Sequence, residues 1–140
     1  VALDGKHYLD GSIADSIPIE RALGQGCDRL VIVLTKPTGN VTPTDYRKFK
    51  GVIQSMYKDY PRFIEACLER VDNYAKTAAL MERLSAEGRV IVIRPQTEAI
   101  SKFERDPQKI AQFYKDGCTQ AEKYLPQIMD WCGITRKNYA

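Results

Sequence analysis

Two unbroken apolar runs, Leu30-Val31-Ile32-Val33-Leu34 and Val90-Ile91-Val92-Ile93, stand out from a chain otherwise patterned at helical spacing. Both are rich in β-branched residues, and runs of this kind read as strands covered by helices on both faces. Arg89 and Arg94 bracket the second run and Pro95 closes it, placing a strand within 88–95. Two buried strands separated by a long helical stretch require a crossover connection, so they are expected to pair in parallel.

The stretch between them predicts two helices. Thr42-Pro43-Thr44-Asp45 supplies a capping Thr, a Pro at the first helical position and an acid two places on; Tyr46, Phe49, Val52, Ile53, Met56 and Tyr57 then recur at helical spacing. Pro61 breaks this helix and starts the next, which carries Ile64, Cys67, Leu68, Val71, Tyr74, Ala78, Met81 and Leu84 on one face and stops at Gly88. After the second strand, Asp106-Pro107 caps a third long helix with Ile110, Phe113, Tyr114, Cys118, Tyr124 and Leu125 on its apolar stripe. Pro126 is expected to kink or end it, and the polar tail from Thr135 to Ala140 to fray.

At the other end, Asp4-Gly5 is a two-residue turn signal joining Val1-Ala2-Leu3 to Lys6-His7-Tyr8-Leu9 in a hairpin whose second strand runs to Asp10. Alternation along that strand sends His7 and Leu9 one way and Tyr8 and Asp10 the other, so His7 is poorly placed to serve Asp10. Pro18 starts a short helix with Asp15 or Ser16 as its cap, and Gly24 and Gly26 end it. Gly24-Gln25-Gly26 precedes a strand instead of following one, and Arg29 stands where a third glycine would be. It therefore reads as a helix stop and not as a nucleotide loop. Val1-Ala2-Leu3 reads as mid-strand, without initiator Met or basic leader, so the chain is expected to be a piece of a longer protein.

Composition narrows the classes of partner. With 21 basic and 18 acidic residues spread along 140 positions, the formal charge is +3, which implies no strong field for nucleic acid and only mild attraction to an anionic lipid surface. Arg47-Lys48 with Lys50 is the nearest approach to a basic cluster. No apolar run approaches the roughly 20 residues that span a bilayer. The four cysteines, Cys27, Cys67, Cys118 and Cys132, form no Cys-x-x-Cys pair, and one histidine cannot complete a zinc set. Free, mostly buried thiols in a reducing cytoplasm are expected, with no cofactor and no metal.

The candidate chemistry lies in Asp10-Gly11-Ser12, followed by Asp15-Ser16-Ile17-Pro18, a short helix and the strand at 30–34. Glycine after an aspartate lets the backbone turn and another segment approach the carboxylate. This order resembles the second half of a patatin-like phospholipase, an α/β serine hydrolase with a Ser-Asp dyad. The resemblance is specific from Lys6 to about Pro37, and looser beyond, where it is to the helical C-terminal portion of a bacterial subgroup. It implies that Asp10 is the dyad aspartate, with Gly11 and Ser12 as its supporting turn. It also implies the C-terminal portion of an α/β/α sandwich, with long helices flanking a mainly parallel sheet and a helical C-terminal extension. Residues 1–40 would be the end of the catalytic core, and 41–140 a helical region with one further strand packed on it. The serine, in a Gly-x-Ser-x-Gly elbow, would come from an N-terminal half, and the substrate would be a lipid or other acyl ester. Desolvation beside the sheet would raise the Asp10 pKa towards that of a working base.

Neither Ser12 nor Ser16 lies in a nucleophile elbow, so this stretch alone is expected to be inactive. Asp15 remains an alternative acid, and a turn aspartate bonding its own backbone is the plainer role for Asp10. Two other classes stay open: a non-catalytic α/β interaction module presenting its helices, and, last, a small nucleotide-binding domain. With part of the sheet missing, an exposed edge or apolar face is expected near residues 1–13, with self-association through it. Peripheral membrane contact is likewise left open.

Overall fold

Asp4 and Gly5 adopt φ of 49° and 72°, the pair of positive values that a tight hairpin turn matched to strand twist demands. They join β1 (Ala2–Leu3) to β2 (Lys6–His7), with Ala2 opposite His7 and Leu3 opposite Lys6. Val1 and Tyr8 exchange two further backbone hydrogen bonds of 2.9 and 2.7 Å, yet the strand does not run to Asp10. In this computed structural model, which describes residues 1–39 and 43–134, the remaining elements are α1 (Ile19–Gly24), β3 (Leu30–Val33), α2 (Lys50–Met56), α3 (Pro61–Ala86), β4 (Val90–Ile93) and α4 (Pro107–Trp131). The architecture is mixed α/β, mostly helix, with two two-stranded sheets.

The chain divides into two compact units, Val1–Gln25 with Thr42–Glu82 and Gly26–Val41 with Arg83–Ala140. They interleave along the sequence. The first buries Ile19, Ile53, Cys67 and Met81, and the second buries Ile32, Leu84, Val90, Ile91 and Ile93.

In the second unit β3 pairs with β4 in parallel, Leu30 opposite Val90 through Val33 opposite Ile93. The expected crossover is therefore present. The expected cover on both faces is not: β4 is almost wholly buried, but Val31 is 43% and Val33 69% exposed, so one side of β3 faces solvent. A run of apolar residues fixes strand character without saying which neighbours will cover it.

Helix limits follow from local chemistry. The helix expected from Thr42 begins later, as a 3₁₀ turn at Tyr46–Phe49, because Asp45 and not a threonine takes the capping role, accepting from the Arg47 N–H at 3.1 Å. Thr42 and the tail 135–140 lie outside the described residues. Pro18 stands just before α1 and not in its first turn, and neither Asp15 nor Ser16 caps that helix. At the end of α3, Gly88 sits at φ +70° while Gly88 N–H bonds Ser85 O at 3.0 Å and Arg89 N–H bonds Leu84 O at 2.9 Å. This is the paired closure of a left-handed glycine cap. Pro126 does not end α4 but lies inside it. The one hydrogen bond it removes falls on Glu122, an exposed residue whose carbonyl water can serve. The α4 stripe also packs less than expected, since Ile110, Tyr114 and Leu125 are 43%, 72% and 50% exposed. The thiols differ too: Cys67 is buried and Cys118 half-buried, but Cys27 and Cys132 are exposed.

The one-sided burial of β3 predicts unequal costs of truncation. Ile91→Ala should destabilise by about 2–5 kcal/mol, and Val33→Ala by no more than about 0.5 kcal/mol. Urea unfolding followed through Trp131 fluorescence checks this, and equal costs would contradict an open β3 face.

Candidate functional site

Asp10 leads into a 3₁₀ turn at Gly11–Ile13 as its cap, with the Ser12 N–H donating to Asp10 Oδ1 at 2.9 Å. The local bond is the familiar use of an aspartate two residues before a free N–H, and it draws the backbone into a turn where a strand was expected. Asp10 is exposed. Its carboxyl is held below the usual carboxylate range, first by the Ser12 N–H, then by the Ser12 side chain, with Arg70 adding to the effect. The expected upward shift by desolvation is thus reversed within this chain, because hydrogen bonding to the charged form outweighs the small burial term.

The Ser12 peptide is the centre of the turn. Its carbonyl accepts from the Ser16 Oγ at 2.8 Å and from the Arg70 Nε at 3.2 Å. Arg70 comes from α3, 58 residues away, and its guanidinium lies 5.6 Å from the Tyr46 ring centroid. One side chain therefore fastens the aspartate turn, the 3₁₀ segment at 46–49 and the long helix within a single unit. Arg70 carried a sequence signal that composition alone conceals: it falls three and four places from Cys67 and Tyr74, inside an otherwise apolar stripe.

The other sequence candidates are less engaged. Gly11 does not adopt positive φ, and nothing lies within 4 Å of where its Cβ would stand, so the glycine is not forced by the turn and leaves open space beside Asp10. Asp15 Oδ1 accepts from the Ile17 N–H at 3.2 Å, a turn bond of the same kind. The Ser16 hydroxyl is spent on the Ser12 carbonyl, and the Ser12 side chain lies against the Asp10 carboxyl. His7 makes no hydrogen bond to Asp10. It lines a cleft of about 360 Å³ with Tyr8, Leu9, Tyr57, Tyr60 and Phe63. A second cleft, of about 250 Å³, runs between residues 13–17 and the α3 side chains Arg70, Asn73, Tyr74 and Thr77. Burial pushes the Cys67 thiol up, which suits packing and not nucleophilic attack. Among the described residues no group of three or more His, Cys, Asp or Glu could hold a metal ion, and no helix is long and apolar enough to cross a membrane.

In the second unit, the sequence reading missed Asp116. Its Oδ2 accepts from Gln96 N–H at 2.7 Å, Thr97 N–H at 3.0 Å and the Thr97 hydroxyl at 2.9 Å, and its Oδ1 from Gln120 at 3.1 Å. The three donors of Gln96 and Thr97 tie α4 to the segment leaving β4, and with Gln120 of the same helix they hold the carboxyl below its usual range, the Thr97 N–H most of all. A cleft of about 400 Å³ adjoins it, lined by Thr97, Glu98, Glu104, Lys109, Gln112 and Phe113 among others.

Residues 60–133, from the start of α3 to the end of α4, match the model of a family described as a domain of unknown function, DUF6363. The chain belongs to this family. The DUF6363 segment thus includes Arg70 and Asp116, whereas the Asp10 turn lies before it. An uncharacterized protein of Escherichia coli K12, YjjU, is 47% identical over an alignment covering 46% of this chain and 23% of its own length. The chain accordingly spans about a quarter of that relative. No solved structure matches.

Two outcomes follow from the geometry. Asp116 has a lowered folded-state pKa, so its contribution to stability is present above the ordinary carboxylate value, about 4, and is lost as pH falls through the folded value. Asp116→Asn should therefore flatten the acid side of the pH dependence of thermal stability, which differential scanning fluorimetry between about pH 2 and 7 measures. Arg70→Met should raise the Asp10 pKa, followed by carboxyl NMR, and speed exchange of amides in the 11–15 turn by about tenfold, the worth of one hydrogen bond. Arg70→Lys should keep more of the charge effect than of the protection.

Proposed function

We propose that the chain is the aspartate-bearing C-terminal portion of a patatin-like acyl ester hydrolase of the cytoplasm. The observation that carries the reading is the presentation of Asp10. Oδ1 is fixed by the Ser12 N–H, the carboxyl is exposed, and the space over Gly11 is open. A carboxylate anchored by a backbone N–H and still exposed is the arrangement a general base needs towards a nucleophile from a separate segment. The match covers only 23% of the relative's length, which supports room for such a segment.

In the reaction so read, a serine hydroxyl from the remainder of the protein attacks the ester carbonyl and passes its proton to Asp10 Oδ2, while the alkoxide leaves the tetrahedral intermediate as an alcohol on taking that proton. Water repeats the sequence on the acyl-enzyme and releases the acid. Ser12 and Arg70 keep the carboxylate in place throughout. Covering of the turn by the nucleophile's segment would desolvate Asp10 and oppose the downward pull of its hydrogen bonds, bringing it nearer to a working base. The sandwich architecture belongs to the same reading, with the open side of β3 as the place for further strands. The parallel β3–β4 pair in the expected order supports it.

The 140-residue chain should not turn over p-nitrophenyl esters above a heat-denatured control. In the longer protein, Asp10→Asn should lower kcat by about 10²-fold or more with folding retained, the worth of a general base, and Asp15→Asn should stay within a few-fold. Wild-type kcat in Asp10→Asn would overturn the dyad and leave a non-catalytic interaction module as the better account.

A further inference from the structure

Three large side chains along α2 and the turn before it are left uncovered: Phe49 is 55%, Val52 59% and Met56 68% exposed. Their spacing of three and four residues places them along one side of the helical segment, while Ile53, the next position round, is 8% exposed and spent on the core. Scattered exposed apolar residues are ordinary, but a row of three on so short an element forms a patch.

Its charge surroundings are mainly basic, with Asp45 and Asp59 at the two limits of the segment. Lys48 and Lys50 flank Phe49, Lys58 follows Met56, and all three are exposed. No acidic residue occurs from Tyr46 to Lys58, and none of these lysines makes a salt bridge among the described residues. Arg47 is different. Asp45 at 2.8 Å and Asp72 at 3.3 Å neutralise it and fasten the segment to α3, so the patch is carried on a held element. The uncovered apolar row of α4 lacks this frame, since Ile110, Tyr114 and Leu125 share their helix with Asp116, Glu122 and Asp130.

We propose that Phe49, Val52 and Met56, with Lys48, Lys50 and Lys58, form a docking surface for an anionic phospholipid bilayer. The apolar row enters the boundary between head groups and acyl chains, and the lysine stems lie along it with their ammonium groups on lipid phosphates. A protein surface complementary to this frame would have to supply the acids that the segment lacks, whereas an anionic leaflet supplies negative charge across its whole area. The proposal rests on the hydrolase reading for what it implies, delivery of the Asp10 turn to a lipid ester, but vesicle binding is measured without hydrolysis, so either can fail alone.

The test is co-sedimentation of the 140-residue chain with vesicles of phosphatidylcholine alone and with about one-third phosphatidylglycerol. The expected result is binding to the second and little to the first, weakened by raised salt. Lys48→Gln with Lys50→Gln should weaken it about tenfold or more, and Phe49→Ser with Met56→Ser should abolish it at unchanged circular dichroism. Tyr114→Ser on α4 should leave it intact. Equal binding to both vesicles, or binding unaffected by the Phe49 and Met56 changes, overturns the proposal. So does absence of binding, whether the chain sediments as an oligomer that the same changes dissociate, making the face a contact between copies, or as a monomer.

Discussion

Parallel pairing of β3 with β4 is the constraint from which the order of the chain follows. Neighbouring strands running the same way cannot be joined by a tight turn, because the chain must return along the full strand length before it can pair again. The long interval between Leu34 and Arg89 is that return, and it is where α2 and α3 are made. The hairpin at the N-terminus obeys the opposite rule, closing on two residues with positive φ because its strands are antiparallel. Sheet direction, more than helix propensity, sets which part of this chain is long and which is short.

The return segment also supplies the grip on the carboxylate turn. A turn closed only by its own residues frays easily, since one hydrogen bond is worth little against the entropy of fixing several residues. Ser12 has a local donor from Ser16 and a distant one from Arg70, and the distant one ties the turn to a helix that is itself packed through Cys67 and Met81. The DUF6363 helix therefore helps to decide the posture of a carboxylate outside the family's own limits. The same economy appears at Asp116, where one side chain satisfies the backbone donors of a segment that has left a strand and found no other ladder.

What the sequence made legible was the local and the periodic. The hairpin turn at Asp4-Gly5, both parallel strands, the break at Pro61, the apolar face of α3 and the stop at Gly88 are all written in spacing and in residues with special backbone freedom. Cover was illegible. Val33 and Ile93 look alike as letters, and only the fold makes one exposed and the other buried. Asp10 was legible as a turn residue and as a candidate base, but its protonation balance was not, because that depends on Arg70 and on the N–H of Ser12. The helix after residue 42 starts later than its letters suggest for a related reason: Asp45 caps the turn at 46–49 while also engaging the Arg47 side chain.

The glycine cap at the end of α3 has a consequence for how this chain tolerates change in length. Gly88 at φ +70° is followed by Arg89 and then at once by β4, so the helix hands the chain to the strand with no slack. Side chains in a strand alternate, and a shift of one residue exchanges its two faces. A single insertion or deletion at 87–89 would exchange the two faces of β4, both of them packed, and so put Val90 and Ile91 each against the other's neighbours. The 13-residue interval between Ile93 and α4, which returns to Asp116 by hydrogen bonds rather than by register, has no such phase to lose, so a change of length there would leave the sheet in place.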